Sequence, residues 1–432
     1  MNIEIENKNV IQIVENQKAL LIGVYEFSNK KEECLENLSE LKNLSLTFGL
    51  DPVEIMPVHL RQVEPSTFIG SGKVDEIKLK IEELSIEVIV FDFEIAPHQQ
   101  RNLEKAFKIT VIDRTELILA VFAHHAKTKE AKLQIKLAEY KYELPRLKRM
   151  WTHLSRQRTG GKSGGFLKGE GEKQIEIDKK ILKSKISELS KQIDDIKKHR
   201  EVLRKQRQRT KIPIFAIIGY TNAGKSSLLN SLTDSKVLVE DKLFATLDTT
   251  TRKYFLPNGM EILLIDTVGF IRKLPHTVVA AFKSTLEEAV FADILIHIID
   301  VSSPTALDQA KASLDVLKEL NAIDKPIITC LNKIDKLTNS SVISLFKINF
   351  PKTVEISTVT RDGFPNLLSL MESEIEHMRK IVKLKIPQSS YNVVSEIIKE
   401  GKIINIDYEE NDILLEVELP KILLSRVAQF IC

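Results

Sequence analysis

The chain has 432 residues, 43% hydrophobic and 28% charged, which suits about three cores at ~150 residues each and excludes a disordered polymer. Its formal charge of +3 conceals a division: residues 127–211 hold 26 Lys and Arg against 11 Asp and Glu, a net of +15, and the rest is net −12. No run reaches the ~18 apolar residues of a membrane span, the acidic Met1–Glu6 start lacks a signal pattern, and three distant cysteines (Cys34, Cys330, Cys432) exclude a disulfide framework or cysteine metal cluster.

These features predict a cytoplasmic protein without membrane association. Residues 1–114 alternate apolar and amphipathic stretches. Ala19–Phe27, Ser85–Phe91 and Ile109–Ile112 read as strands, and Glu32–Leu46, Lys73–Leu84 and Gln99–Phe107 as helices, giving an N-terminal α/β domain. Gly70-Ser71-Gly72-Lys73 before a helix reads either as an anion or nucleotide site or as a plain turn and helix cap. The adjacent pair His124-His125 reads as helix-end residues rather than metal ligands.

Residues 115–211 change period. Leu133, Leu137, Tyr140, Leu144, Leu147, Trp151 and Leu154 form one heptad seam, and Leu182, Ile186, Leu189, Ile193 and Ile196 a second, with Leu203 one heptad on. Between them Arg158–Gly171 holds six of the sixteen glycines, too many for a helix to continue through. The prediction is an antiparallel helical hairpin, a coiled coil with a glycine-rich tip, its arms roughly 45–55 Å long. Pro145 falls inside the first seam and predicts a kink rather than a stop. Self-pairing needs no second chain, so a monomer is expected. The one-sided basic surplus points to a polyanion.

Residues 212–380 predict a doubly wound α/β domain, with strands at Ile212–Ile218, Glu261–Ile265, Asp293–Ile299, Pro326–Leu331 and Thr353–Ile356. Residues 381–432 predict a small α+β domain: strands Lys383–Ile386, Lys402–Asp407 and Ile413–Leu419, helices Tyr391–Ile398 and Pro420–Ala428.

The first of these strands runs into Gly219-Tyr220-Thr221-Asn222-Ala223-Gly224-Lys225-Ser226, a GxxxxGKS loop. Glycines let backbone N–H groups wrap phosphates, Lys225 neutralises the β- and γ-phosphates, and the Ser226 hydroxyl ligates Mg²⁺. Asp266-Thr267-Val268-Gly269 ends the next apolar strand; Asp266 suits the Mg²⁺ shell and the Gly269 N–H the γ-phosphate. Asn332-Lys333-Ile334-Asp335 follows a later strand. Its Asp335 carboxylate can accept from two N–H groups on the guanine edge, which adenine does not offer. Together the three motifs predict a GTPase with Mg²⁺ as cofactor and GTP as substrate. Between the first two, Phe244-Ala245-Thr246-Leu247-Asp248-Thr249-Thr250-Thr251 supplies four threonines (Thr246, Thr249, Thr250, Thr251) as candidates for the metal-ligating switch residue, and spacing does not choose. Phe270 stands where Ras-type GTPases use Gln to orient water, so slow intrinsic turnover is expected. Asn222 offers a carbonyl oxygen for K⁺, or for local loop bonding.

The chain resembles the HflX family of ribosome-associated GTPases over nearly its whole length. The residues carrying this are GYTNAGKS (219–226), LFATLD (243–248), DTVGFIRKLP (266–275), NKID (332–335), FIGSGKVDEI (68–77), AKLQIKLAEYKYELPRL (131–147) and LSRQRTGG (154–161). The resemblance implies the four-domain order read above and binding to the large ribosomal subunit, with the hairpin tip reaching rRNA near the peptidyl-transferase region. It also implies a part in splitting or rescuing stalled ribosomes under stress, or in subunit maturation. It makes Thr246 the Mg²⁺-ligating threonine, which joins Lys225 and Gly269 of the motifs as the expected catalytic residues, and Ser357-Thr358 the guanine-capping loop. Thr249 stands where the family has proline, Glu170 and Lys173 replace Pro and Thr after the tip, and Thr358 replaces Ala.

Overall fold

The structure, a computed structural model, describes residues 14–157, 168–210, 212–233, 243–244, 249–273, 288–337, 341–409, 411–420, 423–424 and 427–432. The chain divides into two compact units. One takes Met1–Glu201 with Leu238–Thr249 and Thr267–Glu287; the other takes Val202–Val237, Thr250–Asp266 and Glu288–Cys432.

In the first unit, strands β1 (Lys18–Tyr25), β2 (Asp51–His59), β3 (Val88–Phe91) and β4 (Thr110–Asp113) form a wholly parallel sheet in the order β2-β1-β3-β4. Helices α1 (Lys31–Phe48), α2 (Ser71–Leu84), α3 (Pro97–Phe107) and α4 (Arg114–His125) connect and follow the strands. The central strands β1 and β3 are apolar and buried, as a parallel sheet covered on both faces requires. Strand β2 was not predicted, because Pro52 and Pro57 argue against a strand. It lies at the sheet edge, where a residue without N–H is tolerated. Helix α4 was also not predicted. Nine of its twelve residues are buried, so it shows no amphipathic stripe. The Asp113 carboxylate caps it, accepting from Glu116 N at 3.0 Å. His124 and His125 close its last turn, with His125 Nδ1 2.8 Å from the Val121 carbonyl.

Helix α5 (Lys129–Gln157) and helix α6 (Lys168–Thr210) are the hairpin arms, about 44 Å and about 65 Å long at ~1.5 Å per residue. α5 continues through Pro145. Gly169 and Gly171 fall inside the first turn of α6, so these two glycines do not interrupt the helix as the composition suggested. The rest of the tip, 158–167, lies outside the described residues. Arg200 pairs with Glu130 at 2.8 Å and Lys185 Nζ lies 5.7 Å from the Tyr140 ring centroid, fixing an antiparallel register. The seam residues Leu137, Leu147, Leu182 and Ile193 are buried. A second stripe on α5 (Ala131, Ile135, Ala138, Tyr142) is buried as well, since α5 also packs against α3 and α4. At this root Arg146 donates to Asp113 Oδ2 at 3.0 Å and to the Ile95 and Tyr142 carbonyls, with its guanidinium 3.4 Å from the Tyr142 ring centroid.

The second unit holds a six-stranded sheet in the order β10-β9-β8-β5-β7-β6. Its strands are β5 (Ile214–Gly219), β6 (Thr250–Phe255), β7 (Glu261–Asp266), β8 (Ile294–Asp300), β9 (Ile327–Asn332) and β10 (Thr353–Glu355). Only β6, at the edge and absent from the prediction, is antiparallel. Helix α7 (Lys225–Thr233) follows β5, α8 (Ala306–Glu319) follows β8, α9 (Ser341–Asn349) follows β9 and α10 (Phe364–His377) follows β10. Crossovers leave β5 in both directions, which opens a crevice at the carboxyl ends of the parallel strands. The C-terminal residues form an antiparallel sheet, β11 (Arg379–Pro387), β12 (Lys402–Glu409) and β13 (Asp412–Pro420) in the order β11-β13-β12, with α11 (Tyr391–Glu400) over its apolar core. The expected helix at Pro420–Ala428 lies partly outside the described residues.

Candidate guanine nucleotide site

Four parallel strands of the second unit end in a polar residue or glycine: β5 at Gly219, β7 at Asp266, β8 at Asp300 and β9 at Asn332. Apolar strands buried on both faces carry these groups to one edge of the sheet. Gly219 has φ +146°, and a Cβ there would collide with the Ile298 carbonyl on β8. Gly224 has φ +102°, and a Cβ would run into the Asn332 amide. Both positions therefore require glycine. By contrast Gly70 has φ −64° and Lys73 is paired to Glu76 at 2.6 Å, a helix start with no comparable wrap.

Tyr220, Thr221 and Ala223 are buried, and Asn222 is exposed with φ +60°. Lys225 is buried at the start of α7 and donates from Nζ to the Tyr220 carbonyl at 2.7 Å. Burial pulls its pKa down to about 8 against the opposing attraction of Asp266. The Ser226 hydroxyl donates to Asp266 Oδ2 at 2.6 Å. A hard divalent ion takes oxygen ligands, and this hydroxyl with its neighbouring carboxylate fits one; among the described residues no group of three His, Cys, Asp or Glu offers another metal site.

The guanine side is equally tied together. The Asn332 amide donates to the Ala223 carbonyl at 2.8 Å and its Oδ1 accepts from Thr358 N at 3.1 Å. Lys333 turns the chain with φ +65°, ahead of a 3-10 turn at Ile334–Lys336. Asp335 accepts from the Ser357 hydroxyl at 2.6 Å, and Ser231 of α7 donates to the Thr358 carbonyl at 3.0 Å. Asp266, Asn332, Asp335, Ser357 and Thr358 are thus brought together with the GxxxxGKS loop.

Other predicted residues fall elsewhere. Thr250 and Thr251 are bound into β6 opposite Asp266 and Ile265. Ala245, Thr246, Leu247 and Asp248 lie outside the described residues. Phe244, Thr267, Val268 and Gly269 group with the first unit. There the Phe244 ring meets Phe122 edge-on with centroids 4.5 Å apart, and Leu243 N donates to Thr47 Oγ1 at 3.2 Å. Phe270 is buried. Beyond it Lys273 pairs with Asp92 at 2.7 Å and Arg272 with Glu36 at 3.3 Å. Sequence reading missed Asp300, which pairs with Lys333 at 2.6 Å. The signal was available: ILIHIID repeats the pattern of EILLID and IITCLN, an apolar run ending in Asp or Asn.

A glycine-wrapped lysine loop between strand and helix, an aspartate at the next strand end and an NKxD turn locked to that loop define a P-loop GTPase. The GTPase HflX of Chlamydia pneumoniae is 47% identical over 416 residues, covering 96% of this chain and 88% of that protein. The chain belongs to the HflX GTPase family and is a GTP hydrolase. The GTPase HflX of Lacrimispora saccharolytica is 40% identical over 412 residues, 95% of this chain and 96% of that one. Residues 35–123, 125–207 and 214–333 match family models described as GTP-binding GTPase N-terminal, GTP-binding GTPase Middle Region and 50S ribosome-binding GTPase. Among solved structures, the SsGBP–GDP complex aligns at 28% identity over 83% of this chain and 98% of that one, with a TM-score of 0.48.

Proposed function

We propose that GTP hydrolysis in this chain times its hold on the large ribosomal subunit, with the basic hairpin contacting rRNA. The observation that carries the reading is the match of 214–333 to a family described as 50S ribosome-binding, joined to a hairpin segment of net charge +15. In this reading Gly219–Ser226 wraps the phosphates, Lys225 neutralises the β- and γ-oxygens, and Asn332, Asp335 and the Ser357-Thr358 loop select guanine. Ser226 and Thr246 hold Mg²⁺, which when bound offsets phosphate charge. Gly269 N–H senses the γ-phosphate. Phe270 supplies no group to orient water, so turnover is slow until the ribosome stimulates it. K⁺ beside Asn222 is a further part of the proposal; equal rates in Na⁺ and K⁺ would remove it. The protein acts in the cytoplasm as a monomer.

The test is sedimentation with purified large subunits. Pelleting in a non-hydrolysable GTP analogue but not in GDP supports the reading, and nucleotide-independent behaviour overturns it. Intact ribosomes with GTP then separate two roles. Subunit dissociation supports splitting and rescue, and co-migration without dissociation supports an assembly factor whose departure hydrolysis times.

A further inference from the structure

Lys333 sits between two residues tied to the Ser357-Thr358 loop: Asn332 accepts from Thr358 N and donates to the Ala223 carbonyl, and Asp335 accepts from the Ser357 hydroxyl. The chain turns left-handed at Lys333 itself, with φ +65°. Its side chain does not extend into solvent. It is captured by Asp300 Oδ2, with 19% of the lysine and 16% of the aspartate side chain exposed. Asp300 ends β8 directly opposite Asn332 of β9 in the parallel register. Its other oxygen, Oδ1, accepts from Ser302 N at 3.0 Å and Ser302 Oγ at 2.5 Å. The carboxylate is therefore fixed from one side and holds the ammonium from the other.

We propose that Asp300 is a positioning residue for the guanine nucleotide: it pins the Lys333 ammonium so that the lysine's methylene stem lies along the base held by Asp335. The inference rests on the GTP-site reading above. A lysine stem covers apolar surface while its charged end stays in a polar setting, and a free lysine loses substantial rotamer entropy on ordering. Pinning the end in advance removes that cost from nucleotide binding. The alternative role for Asp300 is local: through Ser302 it shapes the turn after β8.

Nucleotide dissociation from Asp300→Asn, Lys333→Met and the double variant separates these roles, using a fluorescent GDP analogue and full-length protein. Asp300→Asn should speed release about tenfold, the worth of a charge-assisted hydrogen bond, and raise KM rather than lower kcat. Asp300→Glu should recover part of the loss. In the Lys333→Met background, which keeps an apolar stem but no ammonium, Asp300→Asn should add less than about twofold. Unchanged release in Asp300→Asn, or a full effect that persists beside Met, overturns the proposal. Wild-type protein that fails to retain GDP sinks the GTP-site reading, whereas normal wild-type retention with an unaffected Asp300→Asn sinks this inference alone.

Discussion

At the scale of single residues, two buried bases set opposite demands. Lys225 is titratable near pH 8 because burial strips its solvent. A phosphate beside it restores the charged form, so binding takes up a proton wherever the free lysine has lost one. GDP affinity should therefore fall as pH rises above about 8. Titration calorimetry in buffers of different ionisation enthalpy checks this, and affinity flat up to about pH 9.5 would count against it. His297 is buried on β8, neither ring nitrogen has a hydrogen-bond partner, and burial followed by the nearby Lys225 charge holds its pKa down to about 4. The unfolded chain binds the proton near pH 6.5. Stability is thus intact above about 6.5 and is lost as pH falls toward about 4, by about 3 kcal/mol at most. His297→Leu should flatten that part of the stability profile and raise the thermal midpoint at pH 6. An unchanged acid limb would refute it.

At the scale of elements, the hairpin root concentrates the energetics. Arg146 of α5 satisfies Asp113 at the end of β4, the Ile95 carbonyl in the loop between β3 and α3, and the Tyr142 carbonyl one turn earlier on α5. Removing one partner of a buried ion pair costs about 3–5 kcal/mol because the other charge stays buried. Arg146→Met should accordingly speed amide hydrogen exchange in β4 and in the first half of α5. Adding Asp113→Asn should restore part of the protection; exchange unaltered by Arg146→Met would show the joint to be weak. The elements also mark how far sequence reading reached. The GxxxxGKS loop and its strand were legible because φ, charge and spacing admit few residue types there. The seams were legible through their period. β2 was hidden by Pro52 and Pro57, which only its edge position tolerates, and α4 by burial on every side. The second stripe on α5 was hidden because Gln134 and Arg146, polar and buried, interrupt it. Asp300 was legible as the polar end of an apolar strand, but its pairing with Lys333 was not, because that depends on the neighbouring strand.

At the scale of the whole molecule, the near-neutral charge is a sum of unlike parts. Among the described residues no helix is long and apolar enough to cross a membrane, and exposed Lys180, Lys183 and Lys191 recur along one side of α6. If that side meets rRNA phosphates, replacing each with Gln should weaken subunit binding. Each should also reduce the slope of log affinity against log salt by about one. A slope untouched by all three replacements would place the contact elsewhere.

The Asn332 amide bridges positions 109 residues apart and also occupies the space any side chain at Gly224 would need. In descent this makes two distant codons one unit of selection. A lineage that drops the asparagine removes one of the two reasons for the glycine, its left-handed φ of +102° being the other, while a lineage that keeps it cannot exchange the glycine at all. Copies of this gene drifting toward disuse should shed the two positions together, long before the hairpin seams lose their period.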